Sequence, residues 1–539
     1  MLCDPWKNIL PFPTRRLNTN NLYTHFFMHP TLDQIRLTHP HLYQAFSTLA
    51  DGERHLHSIS ELDRYWERLK QPVQKVIKAG DSMPKEARIS GEYDLVYAGG
   101  TLSLLHAGVM AKKYGRKVMV FDRQTPAKST RDWNISRNEL LNLSAIGLLT
   151  ESEVDSVIVN RYKTGWVEFY QPDGLQKRLT IENVLDCAVD ADMLLALAKE
   201  RVLAVAGSTL LAETTFTNCY QFDDHIVVEV EDRQGKSFWY KAKVLVDVMG
   251  ILSPIAMQLN KGFPQTHVCP TVGTIATGFE NVDFDTGEIL ASLGPADTSS
   301  GKGRQLIWEG FPAKDKQYIT YLFFYDEADS QNDKSLLSLF ETYFRTLPEY
   351  KKPGPDFVIH RPVYGIIPAF CHDGFNRTRE IADDRIILFG DAASLGSPLT
   401  FCGFGSMVRN LHHLTADLDR ALSENNMSKK HLEQINAYEP NVASMANLMK
   451  FMCFNAATDE PNFVNDLMNN VMIVLDDLPR HYREAMFRDE MKIEELAVVM
   501  LRLAWRYPKV LAVTFDKLGA QGSLGFFKNM VGWVFSSVR

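Results

Sequence analysis

Four glycine-bearing turns carry residue types suited to gripping phosphates and sugars. The first lies in "YDLVYAGGTLSLLHAGVMAKKYGRKVMVFDR", residues 93–123, where Gly99-Gly100-Thr101-Leu102 follows an apolar run. A glycine pair lets backbone amides approach a pyrophosphate, and a helix beginning near Thr101 aims its positive end at that anion. The regular G-x-G-x-x-G fingerprint needs glycine at 98, 100 and 103; Ala98 and Ser103 stand there instead, both small enough for close packing. Asp122, followed by Arg123, ends the next apolar run, where an acidic residue meets a ribose hydroxyl. The second turn is Gly250, after "VLVDVM". The third is Gly390-Asp391, in "RIILFGDAAS". The fourth is the pair Gly403 and Gly405, opening a helical stretch. Arg137, beside Trp133 in "DWNISRNEL", is a candidate partner for cofactor phosphates or ribityl, on a helix that Asn134 or Ser136 can cap.

These residues need strands to deliver them. Residues 94–98, 101–113 and 117–121 read as strand, helix and strand, with "GRK" closing the helix. Further helices are expected at about 136–147 and 190–207, and strands in "HIVVEVED" and "SFWYKAKVLVDVMG". Residues 256–380 are strand-rich, interrupted by one helix at about 333–347, and the chain from 403 onward is helical. A late strand ending in Gly-Asp-Ala, long after a strand–helix–strand start, favours FAD over NAD. In flavoproteins that aspartate sits on the ribityl chain, and a helix opened by Gly403 and Gly405 would point its positive end at the reduced flavin.

The expected architecture is α/β: a glutathione-reductase-type, Rossmann-like FAD-binding fold with an interleaved β-sheet substrate domain and a helical C-terminal region. The boundaries are a helical extension at 1–90, the FAD-binding domain at 91–255 and again at 381–425, the substrate domain at 256–380, and the C-terminal region at 426–539. Within the extension, "HPHLYQAFSTLA" and "ISELDRYWERLKQPVQKVIKAG" show helical spacing.

Composition narrows the function. The 539 residues are 45% hydrophobic and 23% charged, ordinary for a folded chain, and the net charge of −8 argues against a nucleic-acid binder. Seven scattered cysteines form no C-x-x-C pair or Cys/His cluster, which reads as free thiols without a metal. The first residues lack an uninterrupted apolar segment, which argues against a cleaved signal peptide, and no run reaches about 18 apolar residues.

Taken together, "DWNISR", "LIWEGFPA", "VYGIIP", "GDAASLGSPLTFCGFGSM" and the "GGTL" turn resemble the CruA/CruP-type lycopene cyclases of cyanobacteria, green sulfur bacteria and plastids. The resemblance runs from about residue 90 to the end and leans to CruA. Asp132 stands where the family more often has Glu, and Cys402 interrupts a turn that is often Gly-Gly-Phe-Gly.

The resemblance implies an FAD-dependent, redox-neutral isomerase that closes β-rings on lycopene by way of γ-carotene, with reduced FAD the active form and NAD(P)H needed only to reduce it. Such chemistry needs a neutral carboxylic acid in a dry pocket and aromatic faces beside a passing cation. By motif type, Glu309 is the acid, between Trp308 and Phe311, with Tyr364 and His360 of "HRPVYGIIP" in second rank. The resemblance further implies carotenoid partners and a peripheral place on the cytoplasmic face of a thylakoid or plasma membrane. "GSLGFFKNMVGWVFSSVR" and the rest of 505–539 read as an interfacial segment, and the Met-rich 440–480 as core. A flavin-dependent isoprenoid reductase or monooxygenase, and a CruP-like carotenoid-binding paralogue, are the alternatives.

Overall fold

The computed structural model describes residues 31–129, 133–174, 176–299, 301–371, 379–399, 402–435, 447–512, 514, 517–519 and 523. Asp132 and most of the stretch after 512 lie outside them.

The chain opens with helices α1 (Leu32–Thr38), α2 (Pro40–Phe46) and α3 (Gly52–Asp63). Thr31 and Gln34 form a capping box on α1, and Pro40 starts α2 at the position where proline costs least. Helical spacing predicted one long helix through residue 80. The chain instead leaves helix after a short turn at Tyr65–Arg68, and Ile77–Ala79 is a strand of the first sheet. Pro72 bars the preceding residue from helical geometry, and Val76 and Ile77 bury themselves in that sheet's core.

β1 (Ile89–Ala98), α4 (Ser103–Tyr114) and β2 (Val118–Phe121) form the expected unit. Helix α4 is buried along most of its length and ends at Gly115, whose φ of 65° is the left-handed cap that glycine favours. β3 (Thr164–Glu168) and β4 (Arg178–Ile181) follow, then α5 (Ala191–Leu203), capped by Asp190, and β5 (Ser237–Asp247). β5 and β2 lie parallel on either side of β1 in a nine-stranded sheet.

The substrate sheet has eight strands, including β6 (His267–Phe279), β7 (Thr286–Ala291), β8 (Ile307–Pro312) and β9 (Tyr318–Phe323). It also recruits β3 and β4 from the first half of the chain, through β3 paired parallel to β7. Helix α6 (Leu336–Tyr350) leads to β10 (Pro353–Ala369), antiparallel to β6, and the chain then returns to the first sheet as β11 (Ile386–Leu388), parallel to β5. The long helix α7 (Gly403–Ser423) follows, and α8 (Phe463–Asp476), α9 (Arg480–Phe487) and α10 (Ile493–Arg506) complete the C-terminal layer.

The substrate sheet is buried on both faces. Because side chains alternate along a strand, each strand serves two cores. Val268, Val272, Trp308 and Leu322 pack against α2, α3 and α6. Cys269, Ile307, Phe311 and Phe323 pack against the Met- and Phe-rich segments Met449–Phe454 and α8–α10. The N-terminal helices are therefore one wall of this domain. They are pinned by carboxylates: Asp63 accepts from Ser335 Oγ (2.7 Å) and the Leu336 and Leu337 amides (2.7 and 3.2 Å) at the start of α6, and Glu341 accepts from the Leu42 amide (3.0 Å). A carboxylate at a helix N-terminus answers both its unpaired N–H groups and its dipole.

Candidate functional site

Strand register gathers the glycine turns. Ala98 of β1 aligns with Phe121 of β2 and Asp247 of β5, and Asp247 with Leu388 of β11. All these strands run parallel, so Gly99, Asp122, Val248 and Phe389 form the next row, at the carboxyl edge of the sheet. That edge is where ligands bind in open α/β sheets.

The first turn is built to be close. Gly99 has φ of 121°, and a Cβ there would lie 2.5 Å from the Val248 carbonyl oxygen; one on Gly100 would lie 2.8 Å from Pro126 Cβ. The Gly100 amide donates to Asp122 Oδ2 (2.7 Å), and Oδ1 of Asp122 accepts from the Gln124 amide (2.8 Å). Ser103, at the third position of the fingerprint, donates its hydroxyl to the Gly99 carbonyl (2.5 Å) and becomes the first residue of α4. The helix starts there rather than at Thr101, leaving Thr101 exposed and Leu102 half-buried; Arg123 is exposed.

The second and third turns meet. Gly250 has φ of 69°, and a Cβ there would touch only Asp391 Cβ, at 4.0 Å. The buried Asp247 carboxylate holds this turn, accepting from the Met249 amide (3.0 Å) and the Ser253 hydroxyl. Burial lifts its pKa to about 6. From below, the buried Arg379 guanidinium donates to the carbonyls of Ala393 (2.8 Å) and Ala392 (2.5 Å), just after Asp391. Neither Asp247 nor Arg379 was singled out from the sequence. An aspartate closing an apolar strand before a glycine was the available signal for the first; Arg379 offered none.

Gly403 and Gly405 behave differently from each other. A Cβ on Gly403 meets none of the described residues within 4 Å, as at Gly390, whereas one on Gly405 would drive into the Glu139 carboxylate. Glu139 is buried and ion-paired with Arg409 of α7, and it closes a capping box with Ser136. Trp133 packs on Phe404 with ring centroids 5.0 Å apart. Arg137 is not part of this group. Its guanidinium binds Asp155 (2.9 Å) near the surface, and Arg409 is the cation that α7 places beside its own first turns. The helix expected over 136–147 is two short ones, Arg137–Leu140 and Asn142–Ala145.

The substrate sheet separates the three residues assigned to the chemistry. Glu309 shares its face of β8 with Ile307 and Phe311, toward the C-terminal layer; Trp308 points the other way, stacked on Tyr350 at 4.6 Å. Tyr364 of β10 is on the Trp308 face, bonded to His55 Nδ1 (3.1 Å). His360 is bonded to Thr277 Oγ1 (3.0 Å) and lines a polar cleft with Lys314 and Arg361.

Glu309 is 4% exposed and makes no hydrogen bond among the described residues. Burial alone drives its pKa well above the usual carboxylate value, which favours the protonated form. Its charge would act on Cys269 and Tyr325 of the same core. The Tyr325 hydroxyl donates to the carbonyls of Pro398 (3.2 Å) and Leu399 (3.0 Å), in the loop after Gly390-Asp391. Beyond that loop lies a small apolar cavity of about 90 Å³, lined by Leu399, Leu290, Phe451, Met472, Phe487 and Leu503 among others, with no charged side chain among the described residues that line it.

A mixed sheet whose central strands run parallel, with glycine turns at their carboxyl edge, joined to a curled second sheet and a helical layer, is the FAD-binding oxidoreductase fold. Solved structures of that class are similar along most of the chain. A geranylgeranyl bacteriochlorophyll reductase-like protein from Thermoplasma acidophilum is 14% identical over 79% of this chain and 99% of its own, with a TM-score of 0.55. The halogenase PltM is 13% identical over 82% and 96%, with a TM-score of 0.53. The p-nitrophenol 4-monooxygenase PnpA from Pseudomonas putida DLL-E4 is 15% identical over 72% and 97%, with a TM-score of 0.51. No protein-family model and no curated protein matches the sequence.

Proposed function

We propose that the chain is an FAD-dependent lycopene β-cyclase. PltM has been crystallised with FAD, which supports the same cofactor here. The residues of this chain fit it: Gly99 and Gly100 would let a pyrophosphate approach the backbone, Asp122 and Asp391 would hold ribose and ribityl hydroxyls, and Cβ atoms on Gly390 and Gly403 would meet none of the described residues within 4 Å. Bound and reduced, FAD would supply electron density that steadies a nearby carbocation in a reaction without net electron transfer.

The observation that carries the reading is Glu309: a buried carboxyl, without a hydrogen bond among the described residues, on the face of β8 that packs toward the C-terminal layer, whose helices line an apolar cavity. In the proposed reaction its O–H bond breaks as the proton adds to C2 of an acyclic end group. The C5=C6 double bond attacks the cation at C1, joining C6 to C1 and leaving the charge on C5; the C6–H bond then becomes the new C5=C6 double bond and its proton returns to the Glu309 carboxylate, so that neither protons nor electrons change in number. A dry apolar surround keeps Glu309 protonated and keeps water from trapping the cation.

Expression in lycopene-producing cells, followed by pigment analysis, tests this; absence of any cyclic carotene ends it. The likeness to a geranylgeranyl reductase-like protein favours a second reading, an isoprenoid reductase. Consumption of NADPH in step with product distinguishes that reading, because ring closure consumes none. A substrate dissolved in lipid also places the enzyme at a membrane surface; no helix among the described residues is long and apolar enough to cross one.

A further inference from the structure

Helix α10 has two unlike faces. Its inner face, with Leu496, Val499 and Leu503, walls the apolar cavity. Its outer face leaves Leu501 72% and Trp505 87% exposed, one turn apart, and Leu511 just beyond is 58% exposed. Exposed apolar side chains this large, clustered on one helix face, mark an interaction surface.

The charge around them says what they meet. Arg502, Arg506 and Lys509 are exposed beside these residues. Arg502 and Arg506 make no ion pair among the described residues, and no acidic residue occurs between Glu495 and Asp516. On a chain of net charge −8 this is a local cationic patch. An exposed tryptophan and leucines rimmed by arginines and lysine match an anionic bilayer: the apolar groups enter the acyl boundary and the cations meet headgroup phosphates. A protein groove would accept the apolar groups but gives no reason for two arginines beside them that make no ion pair among the described residues.

We propose that the outer face of α10 and the turn after it, centred on Leu501, Trp505 and Leu511 with Arg502, Arg506 and Lys509, docks the protein onto an anionic lipid bilayer. The docking stands on exposure and charge; only its use in substrate capture rests on the cyclase reading. The cavity behind the same helix would then open close to the lipid.

The test is sedimentation of the full chain with carotenoid-free phosphatidylcholine vesicles, with and without phosphatidylglycerol. Binding is expected only with phosphatidylglycerol, and should fall steeply as salt is raised. R502Q/R506Q should weaken it about tenfold or more, and L501A/W505A by a comparable factor, with unchanged circular dichroism and melting. Brominated lipid should quench fluorescence in the parent more than in W505F. Equal vesicle binding by parent and both double variants overturns the proposal. So does a parent dimer that L501A/W505A converts to monomer without changing vesicle binding, because the patch would then seat a second copy. Since the vesicles hold no carotenoid, the result is independent of whether lycopene is cyclised.

Discussion

Trp308 and Glu309 are adjacent in sequence and face opposite sides of one sheet. Trp308 stacks on Tyr350 in the core shared with the N-terminal helices, while Glu309 faces the C-terminal layer with Ile307 and Phe311. The pair therefore divides into a packing residue and a proposed acid, and substitutions should divide the same way. E309Q is expected to abolish ring closure while flavin absorbance of the purified protein persists. W308F should retain ring closure, and W308A should destabilise by about 3–5 kcal/mol, the range for removing a buried aromatic side chain. Pigment analysis beside denaturant unfolding separates the two; cyclisation by E309Q removes Glu309 as the acid.

Gly403 and Gly405 offer a second division, two residues apart on α7. A Cβ on Gly405 collides with the Glu139 carboxylate and disturbs its ion pair with Arg409, both buried. G405A should cost about 2–4 kcal/mol of stability, through overpacking and a strained buried charge pair. A Cβ on Gly403 meets none of the described residues within 4 Å. G403A should melt with the parent yet release flavin more readily, because the methyl occupies space left for the cofactor. Melting temperature and the fraction of flavin lost on gel filtration read the two effects. A G403A protein that holds flavin as the parent does would separate Gly403 from the cofactor site.

Asp247 and Asp63 give a pH dependence whose sign is fixed. Burial lifts both carboxyls from about 4 in the unfolded chain to about 6 in the folded protein. Between those values the folded state binds more protons than the unfolded one, so each group's contribution to stability falls as pH rises from about 4 to about 6 and levels off above. His106 and His267, held near 3 by burial, act in the opposite direction up to about pH 6.5. The comparison is therefore made against variants. D247N removes the penalty of ionising Asp247, and its stability relative to the parent should improve by about 1–3 kcal/mol between pH 4 and pH 7. Urea unfolding across that range checks it; a constant difference between parent and variant excludes Asp247 as the titrating group.

The sheet edge was legible because a glycine or an acid follows each apolar run, Gly99, Asp122, Gly250 and Gly390, and register aligns the strands that deliver them. The faces of β8 and β10 were also legible in principle: side chains alternate along a strand, so Glu309 and its neighbour Trp308 could not share a face. Arg137 was read as a site residue because it is the cation next to Trp133, but Asp155, brought near by the fold and shared with Arg161, holds it near the surface. The supports of the turns were not legible. Arg379 holds the carbonyls of Ala392 and Ala393, and Glu139 meets Arg409 across 270 residues of sequence. Such pairings are set by how the chain crosses between its two sheets, and no local pattern encodes that crossing. The helix expected through residue 80 was lost at Pro72, where burial of Val76 and Ile77 in a sheet outweighed their helical spacing.

Tyr325 joins the two halves of the candidate site. Its ring lies in the core that Glu309 faces, and its hydroxyl donates to two successive carbonyls, Pro398 and Leu399, of the loop after Gly390-Asp391. Leu399 in turn lines the apolar cavity. One hydroxyl thus sets the spacing between the proposed acid, the proposed flavin loop and the cavity. Y325F keeps the ring and removes only that donor. The stability cost should be modest, about 1 kcal/mol, as for one buried hydrogen bond. The functional cost should be larger, about tenfold in the rate of ring closure, because a small displacement of reacting groups is costly to a positioned reaction. Y325L, which also removes the ring, should lose both stability and flavin. Rates in vesicles loaded with lycopene, read beside unfolding curves and flavin content, make the comparison. If Y325F closes rings at the parental rate, the loop is positioned without the Tyr325 hydroxyl.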